Sequence, residues 1–189
     1  TMYNVVDTFY AGLISTEAIA SLSLSFMIFF LIIGLGYGFS SAITALLGNA
    51  FGKKRYNLAS IYAHKGLLFI PLLGVFLGLI GYFAAPSLFI LLGASEQYLD
   101  TSIEYINPIL FGTVFFMFNF SLNSILVAQG DTKTYRNTLI FGFFANLVLN
   151  PLFIYGFLFI PAMGIQGIAI ATVLIQVINM CFMFYKVLQ

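Results

Sequence analysis

The sequence predicts an all-α integral membrane protein, a six-helix bundle with a truncated first helix, and three observations carry that prediction. Of the 189 residues, 61% are hydrophobic and only 7% are charged, whereas soluble domains carry about 25% charged residues. The apolar residues fall in runs long enough to cross a bilayer. The basic residues fall in alternate gaps between those runs. Lys53, Lys54, Arg55 and Lys65 follow the first long run, Lys133 and Arg136 follow the third, and Lys186 closes the last. The intervening gaps hold Glu17, then Glu96, Asp100 and Glu104, then no charge. A chain threading a membrane gives this alternation because basic loops are retained on the cytoplasmic side. Residues 51–65, 130–136 and the C-terminus are therefore expected in the cytoplasm. Segments 12–17, 93–104 and 156–163 are expected outside a plasma or inner membrane.

The elements follow in order, as one lobe over residues 1–189. Residues 1–14 are apolar but fall short of the ~20 residues a span needs, and read as the exit half of a truncated helix. No basic n-region with a following apolar stretch marks a signal peptide. Residues 18–50 form a run longer than the ~30 Å hydrocarbon layer requires, so this helix should tilt, bend or protrude. Within it, Gly34, Gly38, Ser41 and Ala45 recur at helical spacing, a small-residue ridge suited to close packing. The basic loop 51–65 is expected to hold a short surface helix at 57–63. The third helix covers 66–92, with Pro86 separating an apolar run from an interfacial continuation. Ser95 and Glu96 offer a cap oxygen and an early negative charge for the fourth helix, 98–128. GDTKT at 130–134 makes a turn, and the fifth helix covers 137–157. Pro161 and Gly164 mark an uncharged loop before the sixth helix, 164–186.

Several function classes are excluded. No basic run is long enough to follow a phosphate backbone, so nucleic acid is not an expected partner. Cys181 and His64 are each the sole residue of their kind, which leaves no thiolate or imidazole metal cluster and no nucleophile–histidine set with a recognisable sequence context. The GxG within GLGYG lies in mid-span, without the strand–helix setting of a nucleotide loop. No enzyme is expected.

Polar residues inside apolar runs carry more information, because they are costly in a bilayer and face a bundle interior or a cavity. On the fourth helix Tyr105, Gly112, Asn119 and Asn123 lie on one stripe. On the fifth, Asn146 and Asn150 share a face, four residues apart. On the sixth, Thr172, Gln176 and Asn179 follow the i, i+4, i+7 pattern. Amide side chains hydrogen-bond in both directions without fixed charge, so such stripes either line a wet cavity or hold helices together. Asp7 differs from every other charge. It follows Val5 and Val6 in the first apolar segment, where a carboxylate within the membrane could exchange a proton or bind a cation. A partly wet helix end is the alternative reading of the same residue.

VVDTFYAG near the start, the GDTKT turn, ANLVLNPLFIYG in the fifth helix and GIQGIAIATVLIQ in the sixth together resemble the multidrug and toxic compound extrusion (MATE) family. The resemblance covers essentially the whole chain. It implies the N-terminal lobe of a twelve-helix transporter built from two six-helix lobes, with the C-terminal lobe of the same polypeptide missing. It also implies export of amphipathic or cationic drugs in exchange for H+ or Na+, with no other cofactor. The family's cation site matches Asp7, Asn146 and Asn150, with Tyr105 and Thr172 as the best matches for two further members. Asn119, Asn123 and Gln176 are candidates for the substrate cavity. Some members of the family carry Asp where this chain has Asn150, which leaves H+ and Na+ both open as the coupling ion. Two other readings stand beside this one. One is a lipid-linked oligosaccharide flippase of the same superfamily, which usually needs a cationic cavity that these spans lack. The other is a non-transporting membrane scaffold subunit, whose polar stripes would point outward and not converge.

Overall fold

Ser15 is the one residue between the first two helices, and its extended backbone explains the break. Its side chain accepts a hydrogen bond from the Ala18 N–H at 3.1 Å, which satisfies one of the free donors at a helix start. The computed structural model describes residues 2–189, without the side chains of residues 2, 3, 96 and 97. It contains α1 (Met2–Ile14), α2 (Thr16–Gly52), α3 (Tyr56–Leu91), α4 (Glu96–Ala128), α5 (Lys133–Tyr155) and α6 (Gly164–Val187). The helices α2 to α6 are long and apolar enough to cross a membrane. Together with the short α1 they make the six-helix membrane bundle expected from the sequence. The early negative charge expected at Glu96 falls on a side chain outside the described residues.

The helix α4 is the axis of the bundle. It packs against α2, α3 and α6, while α5 packs on α6 and α1 packs on α2, α5 and α6. Small residues on α3 let α4 approach closely. A Cβ on Gly78 would stand 2.5 Å from the Leu110 carbonyl oxygen, and one on Gly74 would stand 2.7 Å from Met117 Cγ. These contacts lie outside the ridge expected on α2. There Gly34 and Gly38 sit on an exposed face, and the inward residues are Gly36, Ser40 and Leu47. Within this chain the ridge therefore meets no neighbouring helix, because regular spacing of small residues fixes a shared face but not which way that face turns.

The third helix also departs from expectation. Residues 57–63 do not form a separate surface helix, and the helix does not start at 66. It begins at Tyr56 and runs unbroken through Pro71 and Pro86 to Leu91. Its first turns are held in the bundle, with Ala59 buried against Leu47, Ala50 and Ile125. The basic loop accordingly shrinks to residues 53–55. Neighbouring helices can compensate for a proline inside a membrane helix, so Pro86 does not end this one. The fifth helix starts at Lys133, not 137, because Asp131 caps it. Asp131 Oδ1 accepts the N–H groups of Lys133 and Thr134 at 3.0 and 2.9 Å, and Oδ2 accepts the Thr134 hydroxyl. It ends at Tyr155, not 157, where Gly156 adopts φ +76° and the chain turns back.

Candidate functional site

Asp7 owes its position to the amphipathic division of α1. Val5, Phe9 and Leu13 are 70%, 60% and 57% exposed, while Val6, Asp7 and Ala11 face the bundle and Asp7 is 2% exposed. The Tyr10 hydroxyl donates to the Leu147 carbonyl at 3.0 Å, which ties α1 to α5 beside the acid.

Three polar side chains from two other helices complete a closed ring with Asp7. Asn150 Nδ2 donates to Asp7 Oδ1 at 2.9 Å and to Asn146 Oδ1 at 2.6 Å. Asn146 Nδ2 donates to Thr172 Oγ1 at 3.3 Å, and that hydroxyl donates to Asp7 Oδ2 at 3.3 Å. All four residues are buried. Asn146 and Asn150 meet Asp7 together because they stand one turn apart on the inward face of α5. Each carboxylate oxygen thus has a donor, and the donors are neutral. Asp7 is the ionisable member of the ring. Burying a charge is costly unless it is hydrogen-bonded, and here the ring supplies those bonds. Asn150 Oδ1 is buried without a hydrogen-bond partner. The ring therefore gathers oxygen atoms from a carboxylate, two amides and a hydroxyl, a hard donor set of the kind that holds H+ or a small hard cation.

Tyr105 lies in the same core on α4, among residues that include Ala11, Ile154 and Ile168. Its hydroxyl is not one of the described donors to the ring.

A second polar group lies beside the first. Asn119 Nδ2 donates to Gln176 Oε1 at 2.9 Å and to the Gln176 carbonyl at 3.0 Å, joining α4 to α6. Asn119 Oδ1 is buried and unpartnered. Asn119, Gln176 and Asn179 line a cavity together with the aromatic residues Phe29, Phe116 and Phe120. Phe29 and Phe116 meet edge to face at 5.3 Å. Such a cavity can take a molecule with an apolar body and a hydrogen-bonding edge. Thr172 also lines it, so one residue belongs to both the Asp7 ring and the cavity wall. Asn123, expected on this cavity, is not among its lining residues. It shares the Asn119 side of α4 but lies about a turn further along, with its Oδ1 buried and unpartnered.

The aromatic lining and the lining residues Asn4 and Thr138 were not legible beforehand. Phe29 and Phe30 stand in the run FMIFFLII, where every position is apolar and no periodicity separates a cavity face from a lipid face. Thr138 stands on the same face as Asn146, two turns earlier in α5, and that spacing could have pointed to it.

The sequence model of the MatE family matches residues 1–152. A probable multidrug resistance protein of Bacillus subtilis, YoeA, is 32% identical over 161 residues, covering 85% of this chain and 35% of the relative. The FAD transporter of Shewanella oneidensis is 30% identical over 170 residues, covering 90% of this chain and 38% of the relative. A crystal structure of MATE in the bent conformation superposes with a TM-score of 0.91 at 30% identity, over 97% of this chain and 40% of that one. The chain spans well under half the length of each of these three.

Proposed function

Since this chain belongs to the MatE family, we propose that it forms the N-terminal lobe of a secondary active multidrug efflux antiporter. The transporter exports amphipathic or cationic organic compounds in exchange for H+ or Na+ by alternating access. The family is one of transporters, not of enzymes. The observation that carries this reading is the convergence of Asp7, Asn146, Asn150 and Thr172 in one buried ring, next to a cavity lined by amide and aromatic side chains. Convergence also favours transport over the scaffold reading, in which the polar stripes would face outward to a partner.

In this mechanism Asp7 is the coupling group. A proton arriving at the ring meets a donor on each carboxylate oxygen. Each of those oxygens keeps a second lone pair that can take the proton, and protonation removes the charge that both contacts serve. The unpartnered Asn150 Oδ1 is the acceptor that a turned amide presents to the acid. A sodium ion would use the same oxygen atoms, and it too would neutralise the ring. Thr172 then passes the change to the cavity, because the residue belongs to both. Exchange follows if cation and drug favour different states of the lobe, since a ligand shifts an equilibrium only through its differential affinity. The working transporter includes a second lobe of the same polypeptide, a bilayer and small-molecule drugs, and it carries no prosthetic group. The α2–α3 and α4–α5 connections, with the helix ends that flank them in segments 51–65 and 130–136, and the C-terminal end of α6 face the cytoplasm, as the positive-inside distribution favours.

The test is gradient-driven efflux by the full-length protein carrying Asp7→Asn. The expected result is loss of coupling to the cation gradient while the variant still inserts in the membrane. Unchanged efflux would remove Asp7 from the mechanism and with it this reading of the ring.

A further inference from the structure

The connection between α5 and α6 is unlike the other inter-helix connections. From Asn137 to Tyr185 the chain carries no Asp, Glu, Lys, Arg or His. In the middle of that stretch the chain folds into a four-residue hairpin. Phe157 N–H donates to the Ile160 carbonyl at 3.0 Å, and Ile160 N–H donates to the Phe157 carbonyl at 2.9 Å. Met163 N–H is spent on the Phe153 carbonyl at 3.0 Å. The turn is tight by construction. A Cβ on Gly156 would stand 2.7 Å from the Ile160 carbonyl oxygen, and Leu158 is held at φ +52°, a conformation uncommon for a bulky residue. The outcome of this geometry is an apolar tip, with Leu158 82% and Phe159 98% exposed. The loops at the opposite end of the bundle hold Lys53, Lys54 and Arg55, or Gln129, Gly130 and Asp131.

We infer that Leu158 and Phe159 are seated at the boundary between acyl chains and headgroups of the bilayer, and that the hairpin is a lipid anchor for this end of the α5–α6 pair. Depth is the first argument. Arg136 and Lys186 hold the far ends of α5 and α6 in water. At about 1.5 Å per residue, Arg136 lies roughly 29 Å from Tyr155 and Lys186 roughly 33 Å from Gly164. The hydrocarbon layer is about 30 Å thick, so both helices reach the opposite boundary where the hairpin begins. Continuity is the second. Phe141, Phe144, Val148 and Tyr155 form an exposed apolar stripe along α5, and Phe157 to Phe159 extend it without a polar interruption. The third is backbone accounting. Free peptide groups are costly away from water, and the hairpin satisfies its closing pair internally. Its consequence is mechanical, because the anchored turn joins the helix bearing Asn146 and Asn150 to the helix bearing Thr172.

Site-directed spin labelling of the full-length protein in phospholipid vesicles tests this. Phe159→Cys is labelled in a background cleared of other reactive cysteines, Cys181→Ala among them, and accessibility to oxygen and to a water-soluble nickel complex is measured. Lys54→Cys serves as the aqueous control. The expected result at position 159 is oxygen accessibility several-fold above that of the nickel complex, with the reverse order at position 54. Nickel accessibility at 159 matching that at 54 would place the tip in water and overturn the proposal. Low accessibility to both reagents would also overturn it, because the tip would then be covered by protein.

Discussion

Asn150 holds two acceptors with one amide nitrogen, so its removal should be felt at both. Asn150→Leu leaves Asp7 Oδ1 and Asn146 Oδ1 without their donor. The expected cost is about 1–3 kcal/mol, the usual range for stranding a buried polar partner. Thermal unfolding of the detergent-solubilised protein measures it. Asp7→Asn and Asn150→Leu should also be strongly non-additive, because residues in one hydrogen-bond network couple by about 0.5–3 kcal/mol. Additive effects would show that the ring is not an energetic unit. At this scale the sequence was informative where polarity was rare. Asp7, Asn146, Asn150 and Thr172 were visible as polar groups within apolar runs, and any such group has few places to go. Tyr105 was less legible, since an aromatic hydroxyl can be buried for its ring alone, and its hydroxyl is not among the described donors to Asp7.

Helix ends and close contacts set the next scale. Asp131 begins α5 four residues earlier than apolar periodicity suggested, and Asp131→Ala should cost about 1 kcal/mol, as the loss of a capping oxygen does. The Thr134 hydroxyl and N–H hold the Asp131 carboxyl below its ordinary value. A depressed folded-state value means that the cap's contribution is complete above the unfolded value. It is lost as pH falls through the folded one. The difference in stability between Asp131→Ala and the parent should therefore persist through mildly acidic conditions and vanish in strong acid. Gly78→Leu tests the α3–α4 approach. Its Cβ alone would meet a backbone oxygen at 2.5 Å, and backbone cannot rotate away, so destabilisation of at least about 1–3 kcal/mol is expected from overpacking. Chemical unfolding of the variant checks this. Element existence was readable from the length and apolarity of the runs, whereas faces were not. A soluble helix declares its buried side through alternating polarity, but α2 and α3 are apolar all round. Spacing therefore singled out Gly34 and Gly38, whereas packing within the chain singles out Gly36. The same lack of contrast hid the aromatic lining of the cavity.

At the scale of the molecule, the proposed orientation makes a direct prediction. A cysteine replacing Lys54 should react with a membrane-impermeant maleimide from the cytoplasmic side, and one replacing Ala94 should react from the opposite side. The reverse pattern would invert the direction of transport assigned to the lobe. The charge alternation that suggested this orientation was legible without any structure, because loop charge depends on topology and not on packing.

The ring holds one carboxylate, and that sets an energetic ceiling for this lobe in the proposed mechanism. One monovalent cation moving down a potential of 100 mV releases about 2.3 kcal/mol, and a tenfold concentration gradient adds about 1.4 kcal/mol. A neutral cargo driven by this lobe alone could then be accumulated by roughly a few-hundred-fold at most, from about 3.7 kcal/mol in total. An aspartate at position 150 would offer a second titratable group. In the proposed mechanism the asparagine there would make the lobe a one-charge device, with membrane voltage supplying more of its driving force than the chemical gradient under these conditions.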